Sequence, residues 1–123
     1  MIKGIIFIIY FFCSFIFVLN AQSINEKTAI PDSTKSIQIV EASCGQCQFK
    51  LPGKDCTLAI RIRGKIYFVD GTSIDDHGNA HASDGFCTTI RSAEIQGKVV
   101  KRRFIVSYFK LIKPGNQESL QEN

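Results

Sequence analysis

Thiol and imidazole side chains in the middle of the chain carry the residue types of a metal site. Four cysteines and two histidines follow one another with the spacing C-x2-C-x8-C-x20-H-x3-H-x5-C. Thiolate sulfur and neutral imidazole nitrogen are the ligands that zinc and copper select. The spacing therefore predicts a mononuclear site for one zinc or copper ion. The residues concerned are Cys44, Cys47, Cys56, His77, His81 and Cys87.

The preferred ligand set is tetrahedral and combines three thiolates with one imidazole. Four protein ligands would close the coordination sphere and leave no position for a substrate. Such a site is structural, or it sequesters and delivers its ion. The same two histidines also fit exposed loop residues, since glycine, asparagine and aspartate surround them. The predicted ligands are Cys44, Cys47, His81 and Cys87, with Cys56 and His77 as substitutes.

A disulfide framework is the main alternative for these cysteines. The fifth cysteine, Cys13, lies in an N-terminal apolar run that we expect to be removed, so an even number remains. In a small exported domain an even number is typical of structural disulfides. Two disulfides without a metal, or one disulfide beside a weaker Cys and His site, therefore stay open.

A redox role for the CxxC pair is less favoured. A thioredoxin-like pair opens a helix, whose N-terminus stabilises the attacking thiolate. Residues 48–53 end in Pro-Gly and make a poor helix start. The sequence shows no other catalytic signature, so we predict no catalytic residue and no organic cofactor, and we do not expect an enzyme.

The first 21 residues have the pattern of a secretory signal peptide. Lys3 supplies a positive charge, residues 4–19 are apolar, and Ala21 provides the small residue before the cleavage site. An uncleaved anchor is the alternative, but no charged stop-transfer cluster follows Ala21. We therefore predict export to the periplasm or beyond, and no stable membrane span after cleavage.

Chain length and net charge limit the number of domains and the class of binding partner. The 123 residues leave room for one domain, and the net charge of +4 is too small to predict nucleic acid binding. Four basic residues between positions 98 and 103 favour a solvated hairpin tip, with binding to an anionic surface as a minor alternative. They are Lys98, Lys101, Arg102 and Arg103. The sequence names no partner and no oligomeric state.

Alternating apolar residues predict five strands in a domain that spans residues 37–113, after a polar linker at 22–36 and before a disordered tail at 114–123. A type II′ turn at Gly64-Lys65 joins the second strand to the third, and Gly97 marks a bulge in the fourth. Between the third and fourth strands, Thr72 with Asp75, or Ser73 with Asp76, predicts a capped helical turn. A second short helix is expected from residue 85 to about residue 91. The strands are predicted at residues 37–43, 58–62, 66–69, 93–99 and 104–112.

Three strands, a helical segment and two strands are the element order of a small OB-like barrel. We therefore predict a mainly β fold, a five-stranded barrel with one short helical segment between strands 3 and 4. Closing the sheet would bring the end of strand 1, the start of strand 2 and the helical segment to one rim. That rim would gather the cysteines.

The segments around these cysteines also resemble a known family. The stretches concerned are residues 40–49, 58–71, 74–82 and 84–87, with a Cys-Gly-x-Cys, an Asp-Asp-His-Gly-x-Ala-His and a Gly-Phe-Cys pattern. They resemble an uncharacterised family of small exported proteins of Gram-negative bacteria, a domain of unknown function. The resemblance implies export and a single domain, and it implies no activity.

Overall fold

The computed structural model describes residues 28–114. The predicted signal peptide, the first part of the predicted linker and nearly all of the predicted tail lie outside the described residues, so these boundaries stay predictions. Within the described part, five strands and one 3₁₀ turn form. The strands are β1 (Gln38–Cys44), β2 (Leu58–Ile62), β3 (Lys65–Asp70), β4 (Arg91–Val100) and β5 (Arg103–Leu111), and the 3₁₀ turn is Ile74–His77.

The five strands close into a barrel in the order β1-β2-β3-β5-β4, with β4 returning to β1. All neighbours are antiparallel except β3 and β5, which run parallel. The predicted mainly β, five-stranded OB-like barrel is confirmed. Closure pairs every strand on both sides, which removes the free sheet edges that a small β domain would otherwise expose.

The barrel interior is filled by apolar side chains from every strand. Leu58 and Ile60 of β2 and Ile95 of β4 are almost completely buried, and Phe104 and Phe109 enter from β5. Burying a side chain of this size stabilises the fold by roughly 1.5–3 kcal/mol. The barrel therefore has a core of its own, apart from any bond that the cysteines make.

The hairpin between β2 and β3 differs from its prediction by one residue. Ile62 pairs with Lys65, so the two central residues are Arg63 and Gly64 rather than Gly64 and Lys65. Both have positive φ, 49° and 81°, which makes the turn type I′ and not type II′. The right-handed twist of two short strands favours this type, and Gly64 reduces its cost.

The connection from β3 to β4 contains the one short helical segment that was predicted. Of the two proposed capping pairs, Ser73 with Asp76 forms, because the Ser73 N–H donates to Asp76 Oδ2 at 2.8 Å. The second predicted helix is wrong, since residues 85–88 form turns and β4 begins at Arg91. The Phe86 carbonyl accepts a hydrogen bond from the Cys44 N–H of β1 at 3.0 Å and is therefore not available for a helical hydrogen bond.

The predicted irregularity in β4 is confirmed. The register with β5 shifts between Gln96 and Gly97. A Cβ added at Gly97 would lie 2.2 Å from the Ile105 carbonyl oxygen, so only glycine lets the two strands approach this closely. No helix within residues 28–114 is long and apolar enough to cross a membrane.

Strand directions give the barrel two chemically different rims. The connections β1–β2 (residues 45–57) and β3–β4 (residues 71–90) lie at one end, which we call the cysteine rim. The tight turns β2–β3 and β4–β5 lie at the opposite end, beside the start of β1, and we call this the hairpin rim. All four cysteines of the described chain belong to the cysteine rim.

Candidate metal centre

The cysteine rim brings four sulfur atoms into one cluster. Cys44 ends β1, Cys47 lies in the turn that follows, Cys56 precedes β2, and Cys87 precedes β4. Their Sγ atoms all lie within 4.8 Å of one another. The expectation that barrel closure gathers the cysteines on one rim is therefore confirmed. This cluster could hold a metal ion.

Distances within the cluster fit a small coordination sphere. Four sulfurs at about 2.3 Å from a tetrahedral ion lie about 3.8 Å apart. The Cys47 and Cys56 sulfurs are 3.7 Å apart, close to this value, and the Cys44 and Cys56 sulfurs are 3.0 Å apart. An ion would therefore require Cys44 and Cys56 to separate by less than 1 Å, which side-chain rotation can supply.

Backbone hydrogen bonds fix the turn that carries Cys44 and Cys47. The Gln48 N–H donates to the Cys44 carbonyl at 3.0 Å, and the Cys47 N–H points at Cys44 Sγ at 3.3 Å. Gly45 lies so close to Phe68 that an added Cβ would be 2.6 Å from the ring. The turn thus folds back over the end of β1 and directs a backbone donor at a thiolate.

Two glutamines connect this turn to the other cysteines. Gln46 accepts from the Thr57 N–H at 2.9 Å and donates to the Thr57 hydroxyl at 3.1 Å, which holds the residue next to Cys56. Gln48 donates to the Cys87 carbonyl at 2.9 Å. Cys56 and Cys87 are therefore positioned through side-chain amides on the turn itself.

A buried serine holds the loop that carries Cys87. Ser43 Oγ lies 2.6 Å from the Phe86 carbonyl oxygen and 2.8 Å from that of Thr89. The Cys87 N–H donates to the Ala80 carbonyl at 2.9 Å. The loop that carries Cys87 is thereby tied to β1 and held against the rim.

The thiols of the cluster differ in acidity because they share hydrogen bonds. Burial of Cys44 opposes its thiolate, but hydrogen bonds from the Cys56 thiol and the Cys47 N–H outweigh burial and lower the Cys44 pKa. The hydrogen bond to Cys44, followed by desolvation, raises the pKa of Cys47. Desolvation and the hydrogen bond to Cys44 raise the pKa of Cys56. Of these three thiols, Cys44 therefore loses its proton most readily.

The two histidines lie apart from the sulfur cluster. His77 stacks on Phe109 with ring centroids 4.5 Å apart, contacts Phe86 edge-on, and places Nε2 2.9 Å from the Thr72 hydroxyl. His81 is exposed, and neither histidine belongs to the group of close ligand atoms within residues 28–114. His77 therefore acts as a packed ring with one satisfied nitrogen.

Of the predicted ligand set, the structure brings together Cys44, Cys47 and Cys87. It adds Cys56, one of the predicted substitutes, in the place that the prediction gave to His81. The antiparallel pairing of β1 with β2 explains this substitution, because the residue pair Cys44 and Leu58 brings the segment before β2 to the end of β1. Binding of an ion by this set stays a prediction.

Sequence reasoning did not identify the residues that position the sulfurs. Ser43 and Gln48 flank the CxxC pair and Gln46 lies within it, and their roles depend on backbone groups more than ten residues away. Polar residues immediately beside a CxxC pair were the one available signal. That signal does not specify which distant backbone group each of them reaches.

Burial of His77 predicts a pH-dependent stability. Burial lowers the His77 pKa below 6.5, and Asp76 offsets this only in part. As pH falls, this histidine is protonated in the unfolded chain before it is protonated in the folded protein. The free energy of unfolding is therefore highest above about pH 6.5 and decreases below it. In reduced, chelator-treated protein, we expect the urea midpoint to fall between about pH 7.5 and about pH 5.5.

The variant His77→Phe isolates this effect. It keeps the ring contacts with Phe86 and Phe109 and removes the titrating nitrogen, so its urea midpoint should stay nearly constant over the same pH range. His81→Asn is the matched control and should retain the wild-type decrease, since His81 is exposed. An equal decrease in wild type and His77→Phe would contradict the assignment.

Comparison of the sequence with known protein families identifies one match. Residues 38–112, from β1 to just beyond β5, match the family of unknown function DUF6370. The chain belongs to this family. The match covers the barrel and all four clustered cysteines of this chain, and it confirms the resemblance to an uncharacterised family. No curated protein and no solved structure matches the chain significantly.

Proposed function

We propose that this DUF6370 domain binds one thiophilic ion, zinc or copper(I), through Cys44, Cys47, Cys56 and Cys87. The observation that carries the proposal is the convergence of four Sγ atoms within 4.8 Å of one another, from three separate chain segments. Four thiolates form a closed tetrahedral site, which has no open position for substrate. The function that follows is ion binding rather than catalysis.

Hydrogen bonds to the cysteines and to the segments that carry them support the proposal. The Cys47 N–H directed at Cys44 Sγ stabilises a thiolate ligand, and amide side chains hold the segments that carry the other sulfurs. Metal ligands in proteins are commonly held in this way. A set of unrelated cysteines would not need such positioning.

Unequal exposure of the ligands favours sequestration and delivery over a purely structural role. Cys44 is buried at the end of β1, whereas Cys47 and Cys56 are exposed. An incoming thiol from a chelator or a partner can therefore reach the ion from the side of Cys47 and Cys56. The barrel has its own core, so it can remain folded while the ion leaves.

We also propose that the domain works outside the cytoplasm, on the strength of the signal pattern at its N-terminus. In that setting a disulfide-stapled scaffold is the second candidate. The 3.0 Å between the Cys44 and Cys56 sulfurs favours this pair, which leaves Cys47 for Cys87. Such a scaffold would bind no ion.

Thiol–disulfide catalysis has less support. A reactive cysteine combines solvent exposure with a lowered pKa. In the CxxC pair the lowered pKa belongs to buried Cys44, and exposed Cys47 has a raised pKa. Neither thiol combines the two properties.

Metal analysis with thiol titration on the same sample tests the proposal. Protein isolated without chelator should contain about one zinc or copper ion per chain. Its clustered thiols should react slowly with a thiol reagent until a chelator removes the ion, and then all four should react. Metal-free protein that lacks reactive thiols would overturn the proposal in favour of two disulfides, and metal-free protein with four reactive thiols that fails to take up zinc would overturn both.

A further inference from the structure

The hairpin rim carries a basic and apolar surface that the metal site does not use. Its two turns and the strand ends beside them, residues 63–65 and 98–102, contain five cations, Arg63, Lys65, Lys98, Lys101 and Arg102, and no acidic residue. All five are exposed, and the ion pairs within residues 28–114 use other cations. These charges are therefore available to an outside partner.

Acidic side chains collect at the other end of the barrel. The two connections of the cysteine rim contain the exposed carboxylates of Asp55, Asp75, Asp76 and Asp84. Near the hairpin rim, Asp32 is held by Lys35 at 3.3 Å and Glu41 by Arg61 at 2.6 Å. The cysteine rim thus carries both signs of charge, since exposed Lys50 and Lys54 accompany its carboxylates, whereas the five cations of the hairpin rim form no ion pair among residues 28–114. Such asymmetry orients a protein at a charged surface.

Exposed apolar side chains accompany the cations on the β4–β5 hairpin. Val99 is 47%, Val100 38% and Ile105 37% exposed. Pairing of β4 with β1 ends at Ile95, whereas pairing of β4 with β5 continues to Val100. The last residues of β4 therefore extend past the start of β1 and present these side chains to solvent.

Cations beside exposed aliphatic side chains form the pattern of a surface that enters the headgroup region of a bilayer. Apolar groups bury at the boundary between headgroups and acyl chains, while lysine and arginine stems let the charges reach the phosphates. Charge complementarity alone would also suit an acidic polypeptide. The adjacent valines and isoleucine favour the bilayer, since they gain from burial in lipid.

We propose that the hairpin rim docks the domain on an anionic lipid bilayer through Lys98, Lys101 and Arg102, with Val99 and Val100 at the headgroup boundary. Arg63 and Lys65 of the neighbouring turn add to the attraction. Docked in this way, the domain directs its cysteine rim away from the membrane into solvent. The proposal does not depend on metal binding.

Vesicle sedimentation tests this docking with the chain that begins at Gln22, since all five strands and the core lie between Gln38 and Leu111. Omitting the apolar residues 4–19 prevents them from inserting on their own. We expect binding to phosphatidylcholine vesicles that contain about one-third phosphatidylglycerol, and little binding to phosphatidylcholine alone. Binding should weaken strongly as ionic strength rises from about 0.1 M to about 1 M, where the Debye length falls to about 3 Å.

Two triple variants with the same loss of charge locate the surface. Lys98→Gln/Lys101→Gln/Arg102→Gln should lower the partition coefficient at least tenfold, given roughly a fivefold effect for each cation near an anionic surface. Lys54→Gln/Lys110→Gln/Lys113→Gln changes exposed lysines away from the hairpin turns and should lower it less than about threefold. Val99→Ser should weaken binding a few-fold, and Ile90→Ser, which replaces an exposed aliphatic side chain at the cysteine rim, should not.

Several outcomes would overturn the proposal. Equal binding to both vesicle types, or no binding to either, would exclude an anionic bilayer as the partner. Equal decreases of the partition coefficient in the two triple variants would show that binding depends on net charge and not on the hairpin rim. Preference for polyglutamate over anionic vesicles at equal charge concentration would assign the hairpin rim to an acidic polypeptide instead.

Discussion

Replacing Cys56 with serine should lower the affinity of the domain for zinc about 100-fold or more. Four-ligand structural sites bind zinc with roughly 10–16 kcal/mol, so one lost thiolate removes about 3 kcal/mol or more. Cys56 is exposed, and its replacement leaves the barrel core intact. Competition with a zinc chelator of known affinity measures the change, on protein whose folding is checked by circular dichroism.

His81→Ala is the matched comparison for this experiment. The sequence places His81 in the ligand set and Cys56 among the substitutes, whereas in the structure Cys56 lies in the sulfur cluster and His81 lies outside it. We therefore expect the affinity of His81→Ala for zinc to stay within about twofold of wild type, below the cost of a lost ligand. Cys44→Ser should match Cys56→Ser, but Cys44 is fully buried and its replacement also perturbs the fold. A large loss in His81→Ala with little change in Cys56→Ser would restore the set predicted from sequence.

Gly85→Ala should disrupt the loop that presents Cys87. A Cβ at this position would lie 2.2 Å from the Ala80 carbonyl oxygen and 2.4 Å from that of Asn79, and neither backbone group can move without the loop. The same Ala80 carbonyl accepts the Cys87 N–H, so relief of the clash displaces the ligand. We expect the free energy of unfolding of the metal-free protein to fall by about 1–3 kcal/mol, as for other overpacked sites.

Zinc affinity of Gly85→Ala should also fall at least tenfold, because displacement of Cys87 by about 1 Å misplaces a ligand. Ser83→Ala changes an exposed residue of the same loop and serves as the control for both measurements. Urea denaturation and chelator competition give the two values. A folded Gly85→Ala protein with wild-type affinity would show that Cys87 is not held by this loop geometry, or that it does not bind the ion.

Export and ion binding would act together in this domain. An exported cluster of thiols is exposed to oxidation, and a bound ion protects thiolates from forming disulfides. Because the Cys44 and Cys56 sulfurs are 3.0 Å apart, we expect this pair to oxidise first in protein that lacks the ion. Metal content and disulfide content of the isolated protein should therefore vary inversely.

The local elements of the fold were accessible from the sequence because strand periodicity is a short-range property. Alternation from Leu58 to Ile62 gave β2 with its observed bounds, and Gly97 marked the irregular position of β4. The β2–β3 turn was misplaced by one residue, since its register depends on twist as well as on glycine. The helix expected after Gly85 was wrong because backbone groups of this segment bond outside it, the Phe86 carbonyl to the Cys44 N–H and the Cys87 N–H to the Ala80 carbonyl.

The sequence by itself determined which chemistry is available, a set of thiols and imidazoles, and the order of strands that would bring some of them to one rim. Only the tertiary structure decided which side chains meet. Antiparallel pairing of β1 with β2 brings Cys56 to the CxxC turn. Packing against Phe109 half-buries His77 outside the sulfur cluster, and His81 lies in solvent. Spacing along a chain fixes ligand type and number, but coordination requires atoms within a few ångströms, and that proximity arises from strand register and core packing.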